Sequence, residues 1–279
     1  MAVQIYDQHL HSRHSWDCES DPRDNVRSAI EKGLGGLTFT EHFDTHPDEW
    51  QRCAYDHDAC AATVAALGDE FGHRIFIGHG IEVCYQPERM DFILEFLDHH
   101  DYDLILLSVH WAGGLNLYEK AHWQGLDPAA GTRRYLETVL EAARCCRRLL
   151  QEHGRRRFDV LGHLDLAKRY TQRFFQTVCV DEQADLIEKI LSTCLEADLI
   201  PEINTSTLRQ GLDEAMPGPA TIRRYAALGG CMMTLGSDAH QPEAIGAGFD
   251  YALGMLRQAG IDELAVFEGR RRRTIALTD

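Results

Sequence analysis

Within nine residues near its start the chain reads HLHSRHSWD, which supplies His9, His11, His14 and Asp17. Imidazole is the commonest metal-ligating side chain, and carboxylates are its usual companions. The same residue types return along the chain as Glu41 and His42, Glu82, His110, His163, Glu202, and Asp238 with His240. His9 and His11 stand two apart, so on an extended strand their rings share one face and can clasp a single ion. Asp238 and His240 repeat that spacing. Mixed imidazole and carboxylate suits zinc, manganese or iron, whereas magnesium or calcium prefers carboxylates and water. About nine ligands exceed what one ion of four to six ligands can use, so two or three divalent metals are expected, with a carboxylate such as Glu82 bridging. A structural zinc site would be compact and cysteine-rich, but this set is cysteine-free and dispersed, which favours catalysis. Clustered metals lower the pKa of a coordinated water and clamp the oxygens of a phosphoester. The expected reaction is therefore hydrolysis.

Residues so far apart must be brought together by the fold. The chain alternates short apolar runs with amphipathic helical stretches, a pattern that predicts βα units and a parallel sheet. The runs are AVQIYD, GGLTFT, RIFIGHGIEV, YDLILLSVH, FDVLGHLD, LIPEINT and CMMTLGSDAH, giving seven strand candidates. Asp21-Pro22 starts the first helix as cap and first helical residue, and Gly33 stops it. In TRRYLETVLEAARCCRRLLQEHG, Tyr135, Leu136, Val139, Leu140 and Ala143 recur at helical spacing and predict packing. The candidate ligands all stand at the ends of the apolar runs, none at a start. In a (β/α) barrel the strands' C-terminal ends converge on one mouth, so the whole set is expected to meet there.

With 279 residues, 44% hydrophobic and 26% charged, one domain spanning 1–279 is expected. No basic and apolar leader opens the chain and no apolar run approaches roughly 18 residues, so a soluble, cytoplasmic protein without membrane partners is expected. Nine scattered cysteines with no CxxC pair predict reduced thiols in helices and core. The net charge of −16 argues against long nucleic acid as a partner. The basic runs Arg155–Arg157 and Arg270–Arg273 are expected to be a solvated loop and a solvated tail rather than a phosphate patch.

The ordered motifs HLHSRHSWD, TEHF, GIEV, SVHW, GHLDL and GSDAH resemble the PHP (polymerase and histidinol phosphatase) superfamily along nearly the whole chain. Within it, GHLDLAKRY, EINTSTLR and LGSDAHQPEAIG resemble the histidinol-phosphatase branch. That resemblance implies an α/β fold, a distorted, TIM-like (β/α)7 barrel with a trinuclear metal centre. It implies hydrolysis of a small phosphomonoester, L-histidinol phosphate in histidine biosynthesis. Residue by residue, it implies one metal on His9, His11, Glu82 and Asp238, a second on Glu82, His110 and His163, and a third on Asp17, His42 and His240. His14 has no slot in this set and is expected in a loop near the mouth.

Arg169 is the candidate for gripping phosphate, because its planar fork matches phosphate geometry. Glu202 and Asn204 are expected at the mouth, orienting metal ligands or meeting a substrate amine. Substrate selection is expected from the loop carrying Trp111, Tyr118 and Trp123. The chain departs from the branch at STL, where SGL is common, and in WAGGLNLYEKAHW. Both lie where substrate would be recognised, which makes another small phosphomonoester or a nucleotide the alternative. A non-catalytic metal-binding module is the reading outside enzymology.

Overall fold

The computed structural model describes residues 4–277. Its elements, in chain order, are β1 (Tyr6–Leu10), α1 (Pro22–Glu31), β2 (Gly36–Phe43), α2 (His57–Phe71), β3 (Phe76–Cys84), α3 (Met90–Asp98) and β4 (Leu104–Ser108). The hairpin strands β5 (Trp111–Ala112) and β6 (Leu115–Asn116) follow, then α4 (Pro128–His153), β7 (Val160–Leu161), α5 (Ala167–Phe175), α6 (Ala184–Glu196) and β8 (Ile200–Asn204). The chain ends with α7 (Pro219–Ala227), β9 (Met232–Gly236), α8 (Phe249–Ala259), β10 (Glu263–Glu268) and β11 (Arg271–Ala276).

One nine-stranded sheet runs β1-β2-β3-β4-β7-β8-β9-β10-β11. All its pairings are parallel except β10 with β11. The seven apolar runs are its first seven strands, although Ala2 and Val3 of the first run lie outside the described residues. Strand β4 shows why these runs are apolar throughout: Leu104 and Leu106 pack with Val160, Ile200, Ala265 and Phe267, while Ile105 and Leu107 join the cluster containing Tyr135, Leu136 and Val139 of α4. Both faces are covered, so alternation is lost.

The regular ladder does not close on itself, so the barrel expectation is met only as a mixed α/β fold with a parallel sheet. The two ends of the seven-strand array nevertheless touch just past β1 and β9. There Asp238 N–H donates to His9 O at 2.7 Å and His11 N–H donates to Ala239 O at 2.9 Å. Lower down, the Gln8 side chain stands in for a ladder: its Nε2 donates to Ala265 O at 2.7 Å and its Oε1 accepts from Phe267 N–H at 2.8 Å.

The helices obey local rules. Asp21 caps α1 through Arg23 N–H, and Gly33 takes φ +73° beyond its end. Asp127 caps α4 through Ala130 N–H, and Gly154 closes it at φ +65°. Tyr135, Leu136, Val139, Leu140 and Ala143 are buried along its inner face. All nine cysteines are free and only Cys231 is exposed.

The basic runs depart from expectation. Arg270–Arg273 is the start of β11 and its turn, not a tail. Asp159, fully buried, pairs with Arg270 Nε and with Arg156 Nε, and also accepts Ile105 N–H at 2.9 Å. Asp198 joins Arg156 and Arg272, each at 2.6 Å. Arg273 lies over the Tyr6 ring and pairs with Glu268. The two arginine runs are thus held together by shared aspartates, an arrangement that like-charged sequence runs do not reveal.

Candidate metal centre

Each sheet strand from β1 to β9 delivers a polar side chain at or just past its C-terminal end. His9 lies on β1 and His11 immediately beyond it; His42 and Glu82 lie near the ends of β2 and β3; His110, His163 and Asp238 follow β4, β7 and β9. The strands are mostly apolar, and polar side chains buried in them elsewhere, such as Gln8 and Glu41, are satisfied by hydrogen bonds, whereas these gather where the sheet opens to the mouth. Glu82, 1% exposed, is the hub. Its Oε2 lies 2.8 Å from His42 Nδ1 and 3.6 Å from both His9 Nε2 and His11 Nε2. Its Oε1 lies 2.9 Å from His163 Nε2 and 3.4 Å from His110 Nε2. Asp238 Oδ1 faces His11 Nε2 at 3.5 Å and His240 Nδ1 at 3.7 Å. Asp17 Oδ2 stands 3.3 Å from His240 Nε2 and 3.5 Å from His42 Nε2. All nine residues expected as ligands converge.

The expected geometry is corrected at one pair. Asp238 and His240 do not share a strand face, because β9 ends at Gly236. They approach through a turn in which Asp238 has φ +51°. His163 also lies in the left-handed region at φ +21°. Such backbone costs on the order of 1–3 kcal/mol per residue and collects where a site demands a particular side-chain direction. Glu41 is corrected too: it is buried away from the cluster, accepting from Ser12 N–H, Ser12 Oγ and Ser15 Oγ.

A second layer holds the rings. Glu202 Oε1 lies 2.6 Å from His9 Nδ1, and its Oε2 accepts the His163 N–H at 2.8 Å. Asp44 Oδ1 lies 3.2 Å from His110 Nδ1, and Ser15 Oγ lies 3.1 Å from His11 Nδ1. Arg169 donates to Asp238 Oδ2 at 3.1 Å and to Ser206 Oγ at 2.5 Å. Asn204 Oδ1 accepts from Ser206 N–H and Oγ.

Electrostatics divides the rings. Burial disfavours a charged His9, but the carboxylates of Glu202 and Glu82 outweigh it and raise its pKa well above the ordinary value. His42 and His110 are raised in the same way, by Glu82 with Asp17 and by Asp44 with Glu82. His11 goes the other way: burial, with His42 and His240 beside it, lowers it to about 3. Burial would raise Glu82 and Asp238, yet the facing imidazoles hold both carboxyls well below the carboxylate range.

The cavity above the cluster is lined by Trp16, Asp17, His42, Asp44, Glu82, His110, Asn116, Leu117, Tyr118, His163, Leu166, Arg169, Tyr170, Asp238 and His240. Arg169 and Tyr118 therefore stand where substrate would reach them. Other expected contacts do not. Trp111 is buried outside the cavity, stacked on His46 and donating Nε1 to Glu49 at 3.2 Å. Glu202 and Asn204 are buried beneath the cluster rather than on the cavity wall. Trp123 is buried with its Nε1 on Leu117 O, and His14 turns to Thr63 Oγ1. Sequence reading missed Asp44, Trp16, Asn116 and Tyr170. Asp44 follows His42 by two residues, the same spacing as His9 and His11, and that was the available signal.

The donor set fits divalent metals. His9 Nε2 and His11 Nε2 are buried and make no hydrogen bond, an expensive state that ligation relieves. Ligand atoms of His9, His11 and Asp238, of His9, Glu82 and His163, of His42, Glu82 and His110, and of His11, His42 and His240 lie within 4.8 Å of one another.

A PHP domain family model matches residues 7–206. A curated Clostridium acetobutylicum protein named "Probable histidinol-phosphatase" is 27% identical over 266 residues, covering 92% of this chain and 94% of the relative. The histidinol-phosphatase of Lactococcus lactis is 27% identical over 280 residues, with 95% of each chain covered. A crystal structure of histidinol phosphate phosphatase from Lactococcus lactis, complexed with zinc, L-histidinol and phosphate, superposes with a TM-score of 0.84 at 25% identity, covering 98% of this chain and 100% of the other.

Proposed function

The chain belongs to the PHP domain family, and from that premise we propose that it is a histidinol-phosphatase, a metal-dependent phosphomonoesterase that converts L-histidinol phosphate and water to L-histidinol and phosphate in histidine biosynthesis. The observation that carries this reading is the convergence of nine ligand-type side chains in one cluster, with Glu82 facing five of the histidines, beneath one cavity.

His9, His11, Glu82 and Asp238 would hold one ion, Glu82, His110 and His163 a second, and Asp17, His42 and His240 a third. Such ions supply charge to neutralise the phosphoryl oxygens and acidify water at neutral pH. Zinc, manganese and iron all match the donor set.

The protein's own groups do the rest. Arg169 turns from Asp238 to offer its fork to the phosphate, fixing the ester in the cavity. Glu202 and Asp44 hold His9 and His110 in one ring orientation through Nδ1, which keeps the Nε2 of each aimed at the site where a metal would bind. Buried Leu117 and the Tyr118 ring exclude water from the organic side of the ester.

The two hydrogen bonds between the ends of β1 and β9 support reading the seven parallel strands as a distorted (β/α)7 barrel. Coverage of 92–95% by the curated relatives supports one phosphoesterase domain over residues 1–279. No described helix is long and apolar enough to cross a membrane. With its nine free cysteines and a metabolite substrate, the enzyme fits the cytoplasm.

The test is phosphate release from a panel of L-histidinol phosphate, sugar phosphates and nucleotides by the metal-loaded protein. L-Histidinol phosphate gives the highest kcat/KM; a best rate on a mononucleotide would move the assignment to the alternative substrate class.

A further inference from the structure

Glu49 lies in the β2–α2 connection and is bonded to none of the expected metal ligands, yet its side chain is 6% exposed. A buried carboxylate is costly unless its oxygens are bonded, and here they are bonded to the cavity wall. Oε2 accepts from Trp111 Nε1 at 3.2 Å and from Asn116 Nδ2 at 3.4 Å. Oε1 accepts from the Tyr118 hydroxyl and from Arg52 at 2.5 Å. Asn116 and Tyr118 line the cavity, and Trp111 anchors the hairpin that carries them. Arg52 in turn donates to the Tyr118 hydroxyl at 2.6 Å, and its guanidinium lies 3.8 Å from the centroid of the Trp16 ring, another aromatic lining the cavity.

We propose that Glu49 is a positioning residue for substrate specificity: it ties the β5–β6 hairpin to Arg52 and thereby sets the Trp16, Asn116 and Tyr118 wall that receives the organic part of the phosphomonoester. The inference rests on the phosphomonoesterase reading but not on which organic group is preferred. Glu49 touches neither metal-ligating residues nor the phosphate side at Arg169. It therefore governs binding of the substrate's organic part and leaves the chemistry at phosphorus alone. In kinetic terms it acts on KM, and only for substrates large enough to reach the wall.

The experiment compares L-histidinol phosphate with glycerol 2-phosphate, which is too small to use the wall, in the metal-loaded protein. Glu49→Ala raises KM for L-histidinol phosphate by about tenfold or more and leaves kcat within about twofold, with glycerol 2-phosphate nearly unaffected. Glu49→Gln, which keeps one acceptor oxygen, restores part of the difference. Trp111→Phe removes only the indole donor from outside the cavity and shifts the same ratio by a few-fold, which covers the case in which Glu49→Ala does not fold. Equal changes for both substrates, or a fall in kcat at constant KM, would overturn the proposal. If the wild type prefers another phosphomonoester, the functional assignment fails by itself; the ratio of that ester to glycerol 2-phosphate then reads the wall, and a ratio unchanged in Glu49→Gln and Trp111→Phe overturns it.

Discussion

One carboxylate, Glu202 on β8, joins two histidines of separate segments: it meets His9 Nδ1 at 2.6 Å and the His163 backbone N–H at 2.8 Å. A single residue thus orients one ring on β1 and the strained backbone carrying another after β7. Glu202→Gln keeps the size but loses the charge that holds the His9 tautomer. Zinc affinity is expected to fall about 10–100-fold, read by calorimetric titration; an unchanged affinity would remove Glu202 from the support of the site.

Gly236 explains a glycine at the end of β9. A Cβ there would come 2.0 Å from Glu202 Oε1 and 2.5 Å from the His9 Cβ. Glu202 is buried and bonded, so it has nowhere to move. Gly236→Ala is expected to reproduce the metal-affinity loss of Glu202→Gln and to lower Tm as well; a variant with wild-type metal content and Tm would refute this packing argument.

Metal loading should release protons. In the metal-free protein His9, His42 and His110 are raised by facing carboxylates and so carry protons at neutral pH, whereas His11, lowered to about 3, carries none. Ligation requires neutral imidazole, so affinity rises with pH and falls on acidification. Titrating zinc in buffers of different ionisation enthalpy measures the protons released. Binding without proton release would contradict the charge pattern.

Arg169 is shared between Asp238 and the cavity. On the proposed phosphate-gripping role, replacing it by alanine is expected to remove a charge-assisted hydrogen bond worth about 1.5–3 kcal/mol, roughly 10–100-fold in kcat/KM. Steady-state kinetics on L-histidinol phosphate checks it, and an unaltered kcat/KM would exclude Arg169 from the phosphate site.

Asp159 carries stability rather than catalysis. Burial raises its carboxyl and Arg270 opposes that shift, so charge and partner are matched in a dry place. Asp159→Ala leaves Arg270 and Arg156, both partly hydrated, without their shared acceptor; a loss of about 3 kcal/mol in urea unfolding is expected, with kcat per folded molecule unchanged. A stable variant would show the arginines to be free surface charge.

The order of strands and helices was legible because a buried parallel strand and an amphipathic helix each write their own period into the residues that form them. The ligand-type residues were legible because histidines and acids recur where the apolar runs end, as with His9, Glu82 and His163, although the same signal also picked out Glu41, which is bonded elsewhere. The second layer was not: nothing near Glu202 in the chain names His9, which lies 193 residues away. Trp111 looked like a substrate contact, since its type is right and only packing against His46 and Glu49 turns it inward. The arginine runs looked solvated because Asp159, although close to Arg156 in the chain, shows no sign in the sequence of also meeting Arg270, nor Asp198 of joining Arg156 to Arg272. Local periodicity is a property of one segment and can be read from it; a hydrogen bond between distant segments exists only once the chain has folded, so its partners, distances and charge balance belong to the tertiary structure.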